Sequence, residues 1–130
     1  AEAIAAIVAA DIPVMGHIGL TPQSLHRMGG FRVQRDEARL LRDAQAVAAA
    51  GAFAIVVEGV PASLGEKITQ KLAIPTIGIG AGAGCDGQVL VTPDLLGSFP
   101  WFRPPFAKAR ADVASETLRA VREYVSEVRG

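Results

Sequence analysis

Short runs rich in β-branched residues alternate along this chain with stretches whose apolar residues recur at helical spacing, and few architectures accept that alternation. The runs are "IPVMGHIG", "AFAIVVE", "IPTIGIG" and "GQVLV". The densest, Phe53 to Glu58, has no polar side chain before its final glutamate and reads as a strand buried on both faces. Between the runs, Leu40, Leu41, Ala44, Val47 and Ala48 follow a helical stripe that opens at Asp36 and ends at Gly51 in the C′ position. Leu64, Ile68 and Leu72 fall four apart and predict a second helix over Ala62 to Ala73. Buried strands alternating with amphipathic helices mean a parallel sheet built from βαβ units. The expected fold class is α/β.

The flanks are less constraining. Ile4, Ile7 and Val8 share one helical face near the start. Thr21 and Pro22 suit an N-cap and a first helical residue, with Gly29 and Gly30 as the stop, so a short helical turn is expected there. Gly97 to Pro105 reads as a loop rich in proline and aromatics, and Val113, Thr117, Val121, Tyr124 and Val128 form the expected buried stripe of a final helix. No close repeat, low-complexity tract or obvious linker interrupts the 130 residues, so one domain over residues 1–130 is expected.

The 13 basic and 13 acidic side chains cancel, and the basic ones are not interleaved with aromatics. That argues against nucleic acid or an acidic membrane surface as partner. No apolar run approaches the roughly 20 residues of a membrane span. The opening "AEAIAAIVAA" lacks the basic residues of a signal peptide. Cys85 is the single cysteine and cannot close an internal disulfide, which suits a reducing compartment. The expectation is a soluble, cytoplasmic protein.

Parallel sheets gather their sites at the carboxyl ends of their strands. Those ends carry His17, Glu58 and a glycine run with Asp86 beyond it. The ordinary explanation for Glu58 is a salt bridge to a loop arginine or a contact with the next helix, whose first turn favours acids. Two features favour a functional role instead: the strand is otherwise wholly apolar, and a neighbouring strand ends in a histidine. A carboxylate in apolar surroundings has a raised pKa, which suits a general base. His17 alone is a weaker signal, and His26 on the polar turn is expected to be solvated. One cysteine and two histidines offer no zinc-site spacing. Gly82, Gly84 and Gly87 fit G-x-G-x-x-G, but "QVLV" follows rather than a helix, so the dinucleotide-binding reading fails. These glycines instead let the backbone approach a ligand or turn tightly. Asp86 and Asp94 are expected to bond local backbone in turns, and Cys85 is assigned no role.

Longer blocks carry a resemblance. "PVMGHIGLTPQS", "GGFRVQ", "AGAFAIVVEGVP", "KLAIPTIGIGAGAGCDGQVLV" and "DLLGSFPWFRPPFAK" resemble the carboxyl-terminal half of the ketopantoate hydroxymethyltransferase family over essentially the whole chain. The resemblance implies a parallel (β/α)₈ TIM barrel, of which this chain supplies roughly the carboxyl-terminal half. It implies transfer of a hydroxymethyl group from 5,10-methylenetetrahydrofolate to α-ketoisovalerate in pantothenate synthesis. Magnesium would hold the oxo acid and act as a Lewis acid on the enolate. It also implies a homo-oligomer, commonly a decamer. Glu58 matches the glutamate of the family's "VVE-x-VP" block, its proton acceptor, and His17 matches the histidine of "GH-(I/L)-G" in the substrate pocket.

Two departures accompany the match. The family's metal-binding acids and substrate lysine lie in its amino-terminal half, so no metal ligand is expected in this chain, which by itself should not catalyse. A TIM barrel needs about 250 residues, leaving room here for roughly four βα units. The family also usually carries a glycine-containing linker after "FRVQ", whereas here Gln34 runs directly into Arg35. Two other readings stand beside the enzyme. One is a related 2-oxo-acid barrel of the phosphoenolpyruvate/isocitrate-lyase type. The other is a non-catalytic half-barrel that self-associates through its strand edges.

Overall fold

The apolar runs pair in the order in which they occur. In a computed structural model describing residues 1–24, 30 and 32–130, β1 (Met15–Gly19), β2 (Ala54–Glu58), β3 (Thr76–Ile79) and β4 (Gly87–Gln88) form one sheet in the order β1-β2-β3-β4. Every neighbouring pair is parallel. Helix α1 (Glu2–Ala9) precedes β1, α2 (Glu37–Ala49) lies between β1 and β2, and α3 (Ala62–Lys71) lies between β2 and β3. The expected α/β class with parallel βαβ units is what the chain adopts.

Register divides the sheet into two unlike faces. His17 is opposite Val56 and Gly19 opposite Glu58, while Ile18 is opposite Val57 and Ile55 opposite Thr76. Because side chains alternate along a strand, Ile18, Ile55 and Val57 share one face. There they join Leu40, Ala44 and Val47 of α2 and Leu64 and Ile68 of α3 in the core. Ile55, Val57 and Ile68 are fully buried. Met15, His17, Val56, Glu58, Ile77 and Ile79 share the other face, which is less covered.

The helix ends follow their local chemistry. The Asp36 side chain accepts a hydrogen bond from the Arg39 backbone N–H at 3.0 Å and caps α2. At the other end, Gly51 N–H donates to Ala48 O and Ala52 N–H to Val47 O, the paired bonds of a Schellman close with Gly51 at φ 94°. The short joint before α2 is tied to the sheet, since Gln34 N–H donates to Gly59 O at 2.8 Å.

Several boundaries differ from expectation. The first strand starts at Met15 rather than Ile12, which is half exposed; Pro13 has no N–H to offer a ladder. Phe53 is also half exposed and precedes β2 instead of opening a strand buried on both faces. Helix α3 ends at Lys71, ahead of the extended Leu72. "GQVLV" pairs at Gly87–Gln88, with one further bond from Val89 N–H to Gly78 O. Beyond it, Val91 precedes a short helix α4 (Thr92–Leu96) that opens with proline and was not expected. Thr21 and Pro22 lead into a single 3₁₀ turn, Pro22–Ser24. The rest of that expected helical turn, with His26 and Gly29, lies outside the described residues.

The chain resolves into two compact units, Ala1–Val89, which contains the sheet, and Leu90–Gly130. In the second, Gly97 ends α4 in the left-handed conformation and Asp112 caps α5 (Val113–Arg129) through Ser115 N–H. The stripe expected to be buried on α5 is exposed: Tyr124 is 66% and Val128 68% accessible. An amphipathic face buries itself only against an apolar surface. Within this unit, Ala114, Thr117, Leu118 and Val121 of α5 line a cavity of about 270 Å³ together with Ser98 and Pro100. Among the described residues no helix is long and apolar enough to cross a membrane.

Candidate functional site

The carboxyl ends of β1 and β2 meet through both backbone and side chain. Leu20 N–H donates to Glu58 O at 2.8 Å, Gly59 N–H donates to Ile79 O at 2.9 Å, and Gly59 O accepts from Gln34. The backbone around Glu58 is thus tied to β1, to β3 and to the segment entering α2. Gly19 makes the first of these ties possible. Its φ is +89°, and a Cβ there would collide with the Glu58 carbonyl oxygen.

Glu58 and His17 project from the same face, two register positions apart on adjacent strands. One strand spacing and two residues of rise put their Cα atoms about 8 Å apart, a gap their side chains close. His17 Nε2 lies 3.0 Å from Glu58 Oε2, with side-chain exposures of 32% and 15%. Among the described residues no arginine or lysine forms an ion pair with Glu58. Burial pushes the Glu58 carboxyl above the ordinary glutamate value, and the charge and hydrogen bond of His17 oppose the rise. The pair therefore combines a partly desolvated carboxylate with a nitrogen that holds one of its oxygens. Such a carboxylate has the character of a general base.

A cavity of about 410 Å³ adjoins the pair on β1, the edge strand of the sheet. His17, Gly19 and Thr21 line it from the strand and its exit, and Arg39 and Asp43 line it from α2. The lining includes His17 but not Glu58. Arg39 and Asp43 pair with each other at 3.4 Å. Sequence reading did not single them out, although their i, i+4 spacing already placed them on one helical face.

The other candidate residues lie elsewhere. Asp86 does not bond a local turn. Its Oδ2 accepts from the Thr76 N–H at 2.8 Å and from Thr76 Oγ1 at 3.0 Å, ten residues away, and Thr76 Oγ1 also meets Thr69 Oγ1. Those bonds hold the Asp86 carboxyl below the usual aspartate value. The cluster sits where β3 begins, the end of that strand away from Glu58's partner Ile79. Asp94 lies in the first turn of α4. Cys85 packs partly buried against the core. The glycine run turns close against α3: a Cβ on Gly82 would overlap Ala62, and one on Gly84 would come within 2.7 Å of Glu66. It serves strand-to-helix packing, and no helix begins after it as a dinucleotide fingerprint requires. Among the described residues no group of three or more His, Cys, Asp or Glu side chains converges so that it could hold a metal ion.

Comparison with known proteins adds a second line of argument. The sequence profile described as ketopantoate hydroxymethyltransferase matches residues 1–130. A 3-methyl-2-oxobutanoate hydroxymethyltransferase of Geotalea uraniireducens (strain Rf4) is 60% identical over 131 residues, covering 98% of this chain and 49% of that protein. The enzyme of the same name from Trichlorobacter lovleyi is 58% identical over 132 residues, 99% of this chain and 50% of its own. One from Paracoccus denitrificans (strain Pd 1222) is 53% identical over 133 residues. The chain spans about half the length of the curated relatives it matches.

Proposed function

The chain belongs to the ketopantoate hydroxymethyltransferase family, and from that premise we propose that the protein containing it converts α-ketoisovalerate to ketopantoate. The one-carbon donor in this proposal is 5,10-methylenetetrahydrofolate. The four parallel strands correspond to about half of the family's eight-stranded barrel; Glu58 is the last residue of β2 and His17 lies two residues before the end of β1, toward the side on which barrel enzymes keep their chemistry. Assembly as a homo-oligomer and a cytoplasmic location belong to the same proposal.

The single observation that carries the reading is the Glu58 carboxylate, shielded from solvent at a strand end with histidine rather than arginine as its partner. The reaction needs a base for the carbon next to the ketone. The C3–H bond breaks, its proton passes to a Glu58 oxygen, and the bonding electrons move into the C2–C3 bond as the ketone oxygen becomes an enolate. C3 is then the nucleophile that bonds to the donor's methylene carbon, whose two C–N bonds break as water supplies the hydroxyl oxygen and tetrahydrofolate leaves. Burial suits Glu58 to the first step, since a raised pKa makes the carboxylate a stronger base.

Magnesium is part of the family's chemistry, but the described side chains do not converge into a cage for it. The functional test follows deuterium exchange at C3 of α-ketoisovalerate in the full-length protein, with magnesium supplied. Glu58→Gln is expected to keep the fold and to lower exchange by about 10²–10⁴-fold, the usual effect of removing a general base. Exchange at the parental rate would show that Glu58 is not the base. Preferential exchange of a different 2-oxo acid would favour a lyase-type barrel instead.

A further inference from the structure

We propose that His17 is a positioning residue for Glu58: its Nε2–H holds Glu58 Oε2 and leaves Oε1 to face the substrate carbon. The inference rests on the functional reading above and assigns His17 a different task from binding the oxo acid.

Geometry carries the argument. His17 Nε2 and Glu58 Oε2 are 3.0 Å apart, within the span of a charge-assisted hydrogen bond. An imidazole has two ring nitrogens, and when Nε2 carries the proton for this bond, the neutral ring has Nδ1 as an acceptor. The nitrogen facing the base is therefore already used. The register fixes both side chains on one sheet face and on adjacent strands, so the contact follows from backbone placement. With one carboxylate oxygen held, the other is left to take the C3 proton. No net proton is gained or lost by His17 in that step; the proton leaving C3 resides on Glu58, and the electron pair resides in the enolate.

Neighbouring charges do not offer the same service. Arg39 and Asp43 reach the cavity beside His17 from α2, but they pair with each other at 3.4 Å. Ala1, which precedes α1, and Ile4 of α1 also line the cavity. Removing the imidazole would leave Glu58 shielded and without its donor. Its carboxyl would then titrate higher, and exchange, which needs the ionised form, would begin at a higher pH.

The test uses the full-length protein with magnesium and α-ketoisovalerate, following C3 exchange from pH 5 to pH 9. Parent, His17→Ala and His17→Gln are compared, with folding checked by circular dichroism. His17→Ala is expected to lower the maximal exchange rate by roughly 10²-fold, as a loosened catalytic group does. Its acidic limb should move to higher pH, with the KM for α-ketoisovalerate changed by less than about threefold, as expected when ground-state binding is untouched. His17→Gln retains an N–H donor without the ring and should recover part of the rate. The inference is overturned if His17→Ala raises KM tenfold or more with the maximal rate and acidic limb unchanged, because His17 is then a substrate ligand. It is overturned equally if Ala and Gln behave alike with an unmoved pH profile. A parent that exchanges no C3 proton at all defeats the functional reading itself, and this inference with it.

Discussion

Gly19→Ala should weaken both the fold and the proposed base, Glu58, without touching either side chain of the His17–Glu58 pair. The added methyl meets two obstacles. The residue must adopt φ near +89°, which costs a non-glycine residue about 1–2 kcal/mol. Its Cβ must also avoid the Glu58 carbonyl oxygen, and the available relief is to lengthen the Leu20 N–H to Glu58 O bond, now 2.8 Å. Losing that bond adds about 1 kcal/mol, giving a total of about 2–3 kcal/mol. Gly51→Ala is the matched control. Its φ is +94°, but its nearest obstacle is the Val8 Cγ1 methyl at 3.0 Å, a side-chain atom that can shift. It should cost about 1–2 kcal/mol from the dihedral alone. Urea unfolding of the full-length variants supplies the stability difference, and C3 exchange supplies the activity. Movement of the β2 end by even 1 Å should cost roughly 10²-fold in exchange for Gly19→Ala, with no such loss for Gly51→Ala. If the two variants are equally stable and both exchange at the parental rate, the backbone tie between β1 and Glu58 does not position the base.

Three further outcomes follow from the same structure. Because the Glu58 pKa is raised in the folded state, the ionised carboxylate opposes folding, and that loss sets in as pH rises from the ordinary glutamate value through the folded one. Glu58→Gln should therefore melt above the parent at pH 8 and converge with it near pH 4; a variant that melts lower at both contradicts the desolvation account. Asp86 has the opposite sign, its pKa being lowered by Thr76. Its stabilisation is present above the unfolded aspartate value and disappears as pH falls through the folded one, so Asp86→Asn should lower Tm at pH 7, lose that deficit as pH falls below the usual aspartate range, and leave C3 exchange unchanged. The 130-residue chain on its own, with β1 and β4 as the sheet edges and Met15 and Phe53 about half exposed, should elute from size exclusion larger than its 13.5 kDa; a sharp monomer peak would contradict this.

How legible these features were in the sequence varied with how local their causes are. The Phe53–Glu58 run announced β2, and the Asp36 and Gly51 signals bracketed α2, because caps and apolar periods are written in neighbouring residues. The pairing of His17 with Glu58 was partly legible, since both come from apolar strands of one parallel sheet, although β1 runs on to Gly19 and so places His17 two residues before its end. The 3.0 Å contact depended on register, which no single segment encodes. Asp86 was misread as a local turn residue because its partner Thr76 comes from a strand start ten residues earlier. The α5 stripe was read correctly as amphipathic, but burial depends on an opposing surface, which a helix's own sequence does not specify.

The three backbone ties around Glu58 bear on how this position can vary. Strand pairing to β1, the Gly59 bond to β3 and the Gln34 bond from the segment before α2 all involve main-chain atoms. None of them consults the side chain at residue 58. The Cα–Cβ direction is set like a socket, into which different groups can be fitted without re-aiming. Aspartate, glutamine or histidine at this position would each leave from the same point, so a series of substitutions reads out length and proton affinity separately from placement. The same independence leaves selection free to retune the acid at the barrel mouth while the strand that carries it stays where it is.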